Sequence, residues 1–88
     1  LTGLKSKITS DLSSKIGKFK SKKELLGKKV IRVKDFDGIK LTCEDESWLM
    51  LRRSGTEPLV RIYSEAKSLV RSKQLLKFGK DFIGLNYR

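Results

Sequence analysis

From Lys28 onward the apolar residues take the short period of β-strands and are broken only by compact turn signals, which restricts this stretch to an antiparallel sheet. Val30, Ile31 and Val33 form one strand-like run. Asp37-Gly38 marks a tight turn, and Ile39, Leu41 and Cys43 alternate as the returning strand. Glu44-Asp45-Glu46 supplies the next turn, and Trp48 to Leu51 is apolar throughout, as expected of a central strand covered on both faces. Leu59 to Tyr63 places Val60 and Ile62 on one face and Leu59, Arg61 and Tyr63 on the other. Strands are therefore expected at about 28–34, 38–43, 47–52 and 59–64, joined as a meander.

Helical patterns flank the sheet. Leu4, Ile8, Leu12 and Ile16 recur every four residues, which predicts a helix over about 3–15, with Thr2 as its cap and Gly17 at its end. Lys23 to Leu26 is at best one helical turn before Gly27. A second helix is expected over about 66–83, with Leu69, Ser72, Leu76, Gly79 and Ile83 on one side and Lys73, Lys77 and Lys80 away from it. Glycine inside a helix costs about 1 kcal/mol relative to alanine, so Gly79 is expected to allow close approach to the sheet. The expected fold is one α+β domain over 1–88, a four-stranded antiparallel sheet with two packed helices.

With 88 residues the chain holds one modest core, and its size is also that of a fragment of a larger protein. A lone Cys43 excludes an internal disulfide and points to a reducing, cytoplasmic setting, while the absence of histidine removes the usual zinc ligand sets. No apolar run approaches the ~20 residues that cross a bilayer, so no membrane association is expected. The net charge of +11 raises the alternative of a small basic nucleic-acid-binding module. Its distribution disfavours that reading: residues 1–34 carry +9, residues 35–66 carry −3 and residues 67–88 carry +5, and the basic run Lys15 to Lys34 holds only Phe19 as an aromatic. Solvated lysines on exposed faces account for most of the charge.

The candidate chemistry lies in the acidic middle third, in Arg52-Arg53-Ser54-Gly55-Thr56-Glu57-Pro58 followed by Arg61. A six-residue connection joins two strands that a two-residue turn could have joined, and loops longer than geometry needs are more often functional. Arg52, Arg53 and Arg61 offer planar bidentate donors, Ser54 and Thr56 single hydroxyls, and Gly55 an approachable backbone N–H. A phosphate is the natural guest. Glu57 would repel it and is expected to point away, and Pro58 fixes φ where the chain re-enters the sheet.

This stretch, continued by Arg61-Ile62-Tyr63-Ser64-Glu65-Ala66, resembles the Arg-x-Ser-Gly-Thr-Glu-Pro…Arg-x-Tyr-x-Glu-Ala signature of the α-D-phosphohexomutases, the phosphoglucomutase and phosphomannomutase family. Asp37-Gly38-Ile39-Lys40 and Trp48 also resemble that family's C-terminal domain, so the likeness spans about residues 28–83. It implies a four-domain cytoplasmic isomerase whose C-terminal domain has a TATA-box-binding-protein-like arrangement and grips the phosphate of a hexose phosphate. By that resemblance Arg52 is the main guanidinium, Ser54 and Thr56 donate hydroxyls, Gly55 its N–H, and Arg61 is the second cation, while Arg53 holds the variable place. The family's catalytic serine loop and its magnesium-binding aspartates have no counterpart in these 88 residues, so Mg2+ is expected in the parent enzyme on another domain, and this chain alone is expected to be inactive. The implied partners are the phosphosugar and other domains of the same chain. Asp35 and Asp37 share a suggestive spacing but belong to the hairpin turn, and no metal role is assigned to them.

Overall fold

A computed structural model describes residues 2–7, 12–53 and 59–83. The elements run β1 (Thr2–Lys7), α1 (Leu12–Lys20), β2 (Glu24–Leu25), β3 (Lys28–Asp35), β4 (Ile39–Cys43), β5 (Trp48–Arg53), β6 (Leu59–Glu65) and α2 (Leu69–Ile83). The class is α+β and every strand pairing is antiparallel, in the order β1-β6-β5-β4-β3-β2. The meander β3 to β6 is the backbone of this arrangement, but the expected four strands are too few: β1 adds a fifth full strand beyond β6, and the two-residue β2 extends the other edge.

The helix expected over 3–15 is the main correction. Residues 2–7 are a strand whose register places Leu4 opposite Ile62 and Lys5 opposite Arg61, and the helix begins only at Leu12. A spacing of four residues returns to the same face of a strand as well as of a helix, so the Leu4-Ile8-Leu12 pattern fits both. Thr2, Gly3 and Ser6 are weak helix formers, and the outer edge of β6 offers a full row of hydrogen-bonding partners. Gly17 lies inside α1, with open space where a side chain would project, instead of ending it. Residues 24 and 25 form β2, closed onto β3 by a tight turn in which Leu26 (φ 49°) and Gly27 (φ 85°) both adopt left-handed backbone.

Both helices cover one face of the sheet. α2 packs across β6, β1 and β5, and α1 packs on α2 and β4. The core between them contains Phe19, Leu41, Leu49, Leu51, Val60, Ile62, Leu75 and Ile83, all buried. Phe19 meets Phe82 with ring centroids 5.9 Å apart. Trp48 and Met50, on the other face of β5, are only half-buried, so this central strand is covered by helices on one side and not on both. No helix among the described residues is long and apolar enough to cross a membrane.

Helix α2 starts at Leu69, where the Ser68 hydroxyl accepts from the Arg71 backbone N–H at 3.1 Å, a side-chain cap. The stripe Ser72, Leu75, Leu76, Gly79 and Ile83 is buried, whereas Leu69 stays exposed. Two small residues let α2 sit close. Ser64 on β6 donates to the Ser72 carbonyl at 2.8 Å, and a Cβ at Gly79 would stand 3.0 Å from Ile62 Cγ2 and 3.3 Å from Leu49 Cδ1. Gly79→Ala is therefore expected to destabilise the domain by about 1 kcal/mol, because overpacking against a β-branched neighbour outweighs the gain in helix propensity. Urea unfolding checks the sign: on propensity alone the variant would be more stable.

A candidate phosphate-gripping edge

The site is built at the end of the β5–β6 hairpin. Register places Arg52 directly opposite Arg61, and Arg53 opposite Val60. Directly opposed residues share a sheet face with Cβ atoms ~5 Å apart, so the Arg52 and Arg61 side chains rise together from the face that the helices leave open. Lys5 on β1 occupies the next register position beyond Arg61, giving a row of three cationic positions across three adjacent strands. Arg53 alternates to the opposite face beside buried Val60, which separates it from Arg52 and Arg61. The remaining candidates, Ser54, Gly55, Thr56 and Glu57, and with them Pro58, lie outside the described residues.

Two like charges directly opposed across a ladder are unfavourable unless something negative sits between or beside them. Part of that compensation comes from the neighbouring hairpin, where Asp37 Oδ2 approaches Arg52 Nη2 at 3.3 Å. The turn reaches so close because residue 38 is glycine: a Cβ there would meet the Leu51 carbonyl oxygen at 2.9 Å and Arg52 Cβ at 3.2 Å. Asp37 therefore orients one edge of the Arg52 guanidinium, a role that the turn signal Asp37-Gly38 did not reveal. Its hairpin partner Asp35 pairs with Lys20, so the two acids serve different cations. Among the described residues no three His, Cys, Asp or Glu side chains gather as a metal site.

Two further cations lie on the open face. Lys34 lies opposite Lys40, and the Lys40 ammonium sits 4.4 Å above the Trp48 ring, whose indole N–H donates to Glu65 Oε1 at 3.0 Å. Burial raises the Cys43 thiol above its ordinary value of 9.0, which keeps it protonated at neutral pH and removes it as a nucleophile. The arrangement can bind and neutralise an anion.

The family model described as phosphoglucomutase/phosphomannomutase, C-terminal domain, matches residues 6–78, which includes β3 to β6, both arginines of the row and most of α2. The chain belongs to the phosphoglucomutase/phosphomannomutase family. A phosphoglucomutase/phosphomannomutase of Thermococcus kodakarensis is 43% identical over 56 residues, 64% of this chain and 12% of that protein. A probable phosphoglucosamine mutase of Methanosphaera stadtmanae is 38% identical over 47 residues, 53% of this chain and 10% of its own length. A phosphoglucosamine mutase of Methanococcus aeolicus is 41% identical over 56 residues, 61% of this chain and 12% of its own length. The chain thus spans about a tenth of the length of the curated relatives it matches, at the part of the family that forms the C-terminal domain.

Proposed function

We propose that this domain grips the phosphate group of a hexose phosphate for a phosphohexomutase, leaving the far end of the sugar to reacting groups on other domains. The observation that carries the reading is the cross-strand pairing of Arg52 with Arg61 on the open sheet face, at the mouth of the connection 54–58. The two guanidiniums supply directed, bidentate donors, and Ser54, Gly55 and Thr56 complete the grip with hydroxyl and backbone N–H donors. Arg53, on the other face, and Glu57 take no phosphate in this reading. Phosphoryl transfer asks a protein mainly for positioning and charge neutralisation, and the domain contributes those. The reaction is an intramolecular isomerisation between hexose 1-phosphate and 6-phosphate, run in the cytoplasm with magnesium held by another domain, and the 88-residue chain by itself is inactive. Two helices on one face of an antiparallel sheet agree with the TATA-box-binding-protein-like arrangement that the family resemblance implies.

Titration of the 15N-labelled chain with glucose 1-phosphate tests this reading. Amide shifts are expected to centre on residues 52–61. Shifts confined to the lysine-rich residues 15–34 would refute it. Nucleic acid is the weaker alternative, because Trp48 on the open face is capped by Lys40 and tied to Glu65 rather than left free for a base to stack on.

A further inference from the structure

The outer edge of β3 stands apart from the phosphate grip. β2 pairs only with Lys28 and Lys29, and the Val30 N–H donates to the Lys23 carbonyl at 2.9 Å. From Arg32 to Asp35, β3 pairs with β4 on one side, with a shift of register at Ile31, and among the described residues nothing pairs with its other side. Soluble proteins blunt such an edge with charge, and the lysines here would serve that end. They do not explain the apolar residues beside them: Ile31 is 55% exposed, Val33 44% and Phe36 at the turn 89%. A groove of about 350 Å3 is lined by Val30, Ile31, Arg32 and Val33 of β3 and by Lys20, Lys22 and Lys23 at and just after the end of α1.

The alternation along β3 says what would fit. Val33 lies opposite buried Leu41 and so belongs to the helix-covered face, while Arg32 and Lys34 lie opposite Thr42 and Lys40 on the open face. An added strand that matched this pattern would carry apolar residues on the first face and acidic residues on the second. Between residues 20 and 35 there are seven cations and two acids, and Asp35 is already paired with Lys20. A small apolar centre with a lysine rim suits a partner that arrives by diffusion, because charge steering speeds encounter. A segment tethered in the same polypeptide is already held at high effective concentration and gains little from steering. A second copy of this edge would bring like charges together.

We propose that the β3 edge is a docking site for an acidic, extended segment of a separate partner protein, which adds as a strand beside Ile31–Asp35 with acids toward Arg32 and Lys34 and apolar side chains toward Val33. The test uses an acidic peptide alternating glutamate and valine, and a control peptide with lysine in place of glutamate, each added to the 15N-labelled chain. The acidic peptide is expected to shift amides at residues 20–23 and 31–36 and to slow hydrogen exchange within Ile31–Asp35 by about tenfold at saturation. Binding is expected to weaken between about 50 mM and about 300 mM salt, and to fall several-fold in Ile31→Ser/Phe36→Ser, a variant altered only at exposed positions and checked for an unchanged fold by its other amide shifts. Equal binding of the lysine peptide, absence of exchange protection at Ile31–Asp35, or concentration-dependent self-association through this edge would each overturn the proposal. Protection of the same amides in the longer polypeptide without any peptide would assign the edge to that polypeptide and overturn it as well.

Discussion

Alanine in place of Arg71 is expected to lower the unfolding free energy by about 3 kcal/mol and the melting temperature by roughly 15 °C. Arg71 leaves the first turn of α2 and ties two separate parts of the chain to it, residues 25–26 and residues 45–47. Its Nη2 donates to the Leu25 carbonyl at 2.9 Å, its Nη1 to the Leu26 carbonyl at 3.1 Å, and its Nε faces Ser47 Oγ at 3.4 Å, with Asp45 Oδ2 at 3.7 Å. Alanine would leave a partly buried carbonyl and a carboxylate without their cation, and the cost of stranded groups exceeds the net worth of the bonds themselves. The acid limb of the stability curve gives a second readout. Hydrogen bonds from Ser47, with a smaller share from Arg71, hold Asp45 below its ordinary value of 3.8. A depressed carboxylate stabilises the fold above its unfolded pKa, and that part is lost as pH falls through the folded pKa. The gap between wild type and Arg71→Ala is therefore expected to narrow below about pH 4 without closing, because the carbonyl bonds to Leu25 and Leu26 do not titrate. Urea unfolding at pH 7 and at pH 3 measures both effects.

The second large effect is on the proposed phosphate grip. In the complete polypeptide that carries this domain, Arg52→Ala and Arg61→Ala are each expected to reduce kcat/KM for a hexose phosphate by about 30-fold, equivalent to about 2 kcal/mol for one charge-assisted contact. The fold should be unchanged, since neither arginine belongs to the apolar core between the sheet and the helices. Lysine at position 52 keeps the charge but loses the planar fork, so it is expected to restore only part of the activity. Asp37 complicates Arg52 in a useful way. Removing that carboxylate frees the guanidinium from its orienting partner at 3.3 Å, so geometry and charge can be tested apart.

The sequence showed the strands that alternate cleanly and the turns that close them, because a period of two and Asp37-Gly38 are local signals. Arg52 and Arg61 were legible as flanks of one loop, and a hairpin must bring flanking residues opposite each other. β1 was not legible, since a four-residue spacing has the same face in helix and strand and only the waiting edge of β6 decides. Arg71 was equally hidden: a lone arginine on a helix looks like a solvated one until Leu25, Cys43, Asp45 and Ser47 are folded around it. The separation of Arg53 from its neighbour Arg52 follows from strand alternation once β5 is known to run through Arg53.

The most direct test sets directed donors against bulk positive charge. Arg52→Ala/Arg61→Ala and Lys23→Ala/Lys34→Ala remove the same formal charge, one pair from the hairpin and the other from two exposed positions elsewhere. Measured as kcat/KM on a hexose phosphate at one ionic strength, the arginine pair is expected to lose about 1,000-fold and the lysine pair less than about threefold. Equal losses from the two pairs would mean that general basicity attracts the substrate, and would contradict a phosphate grip at Arg52 and Arg61.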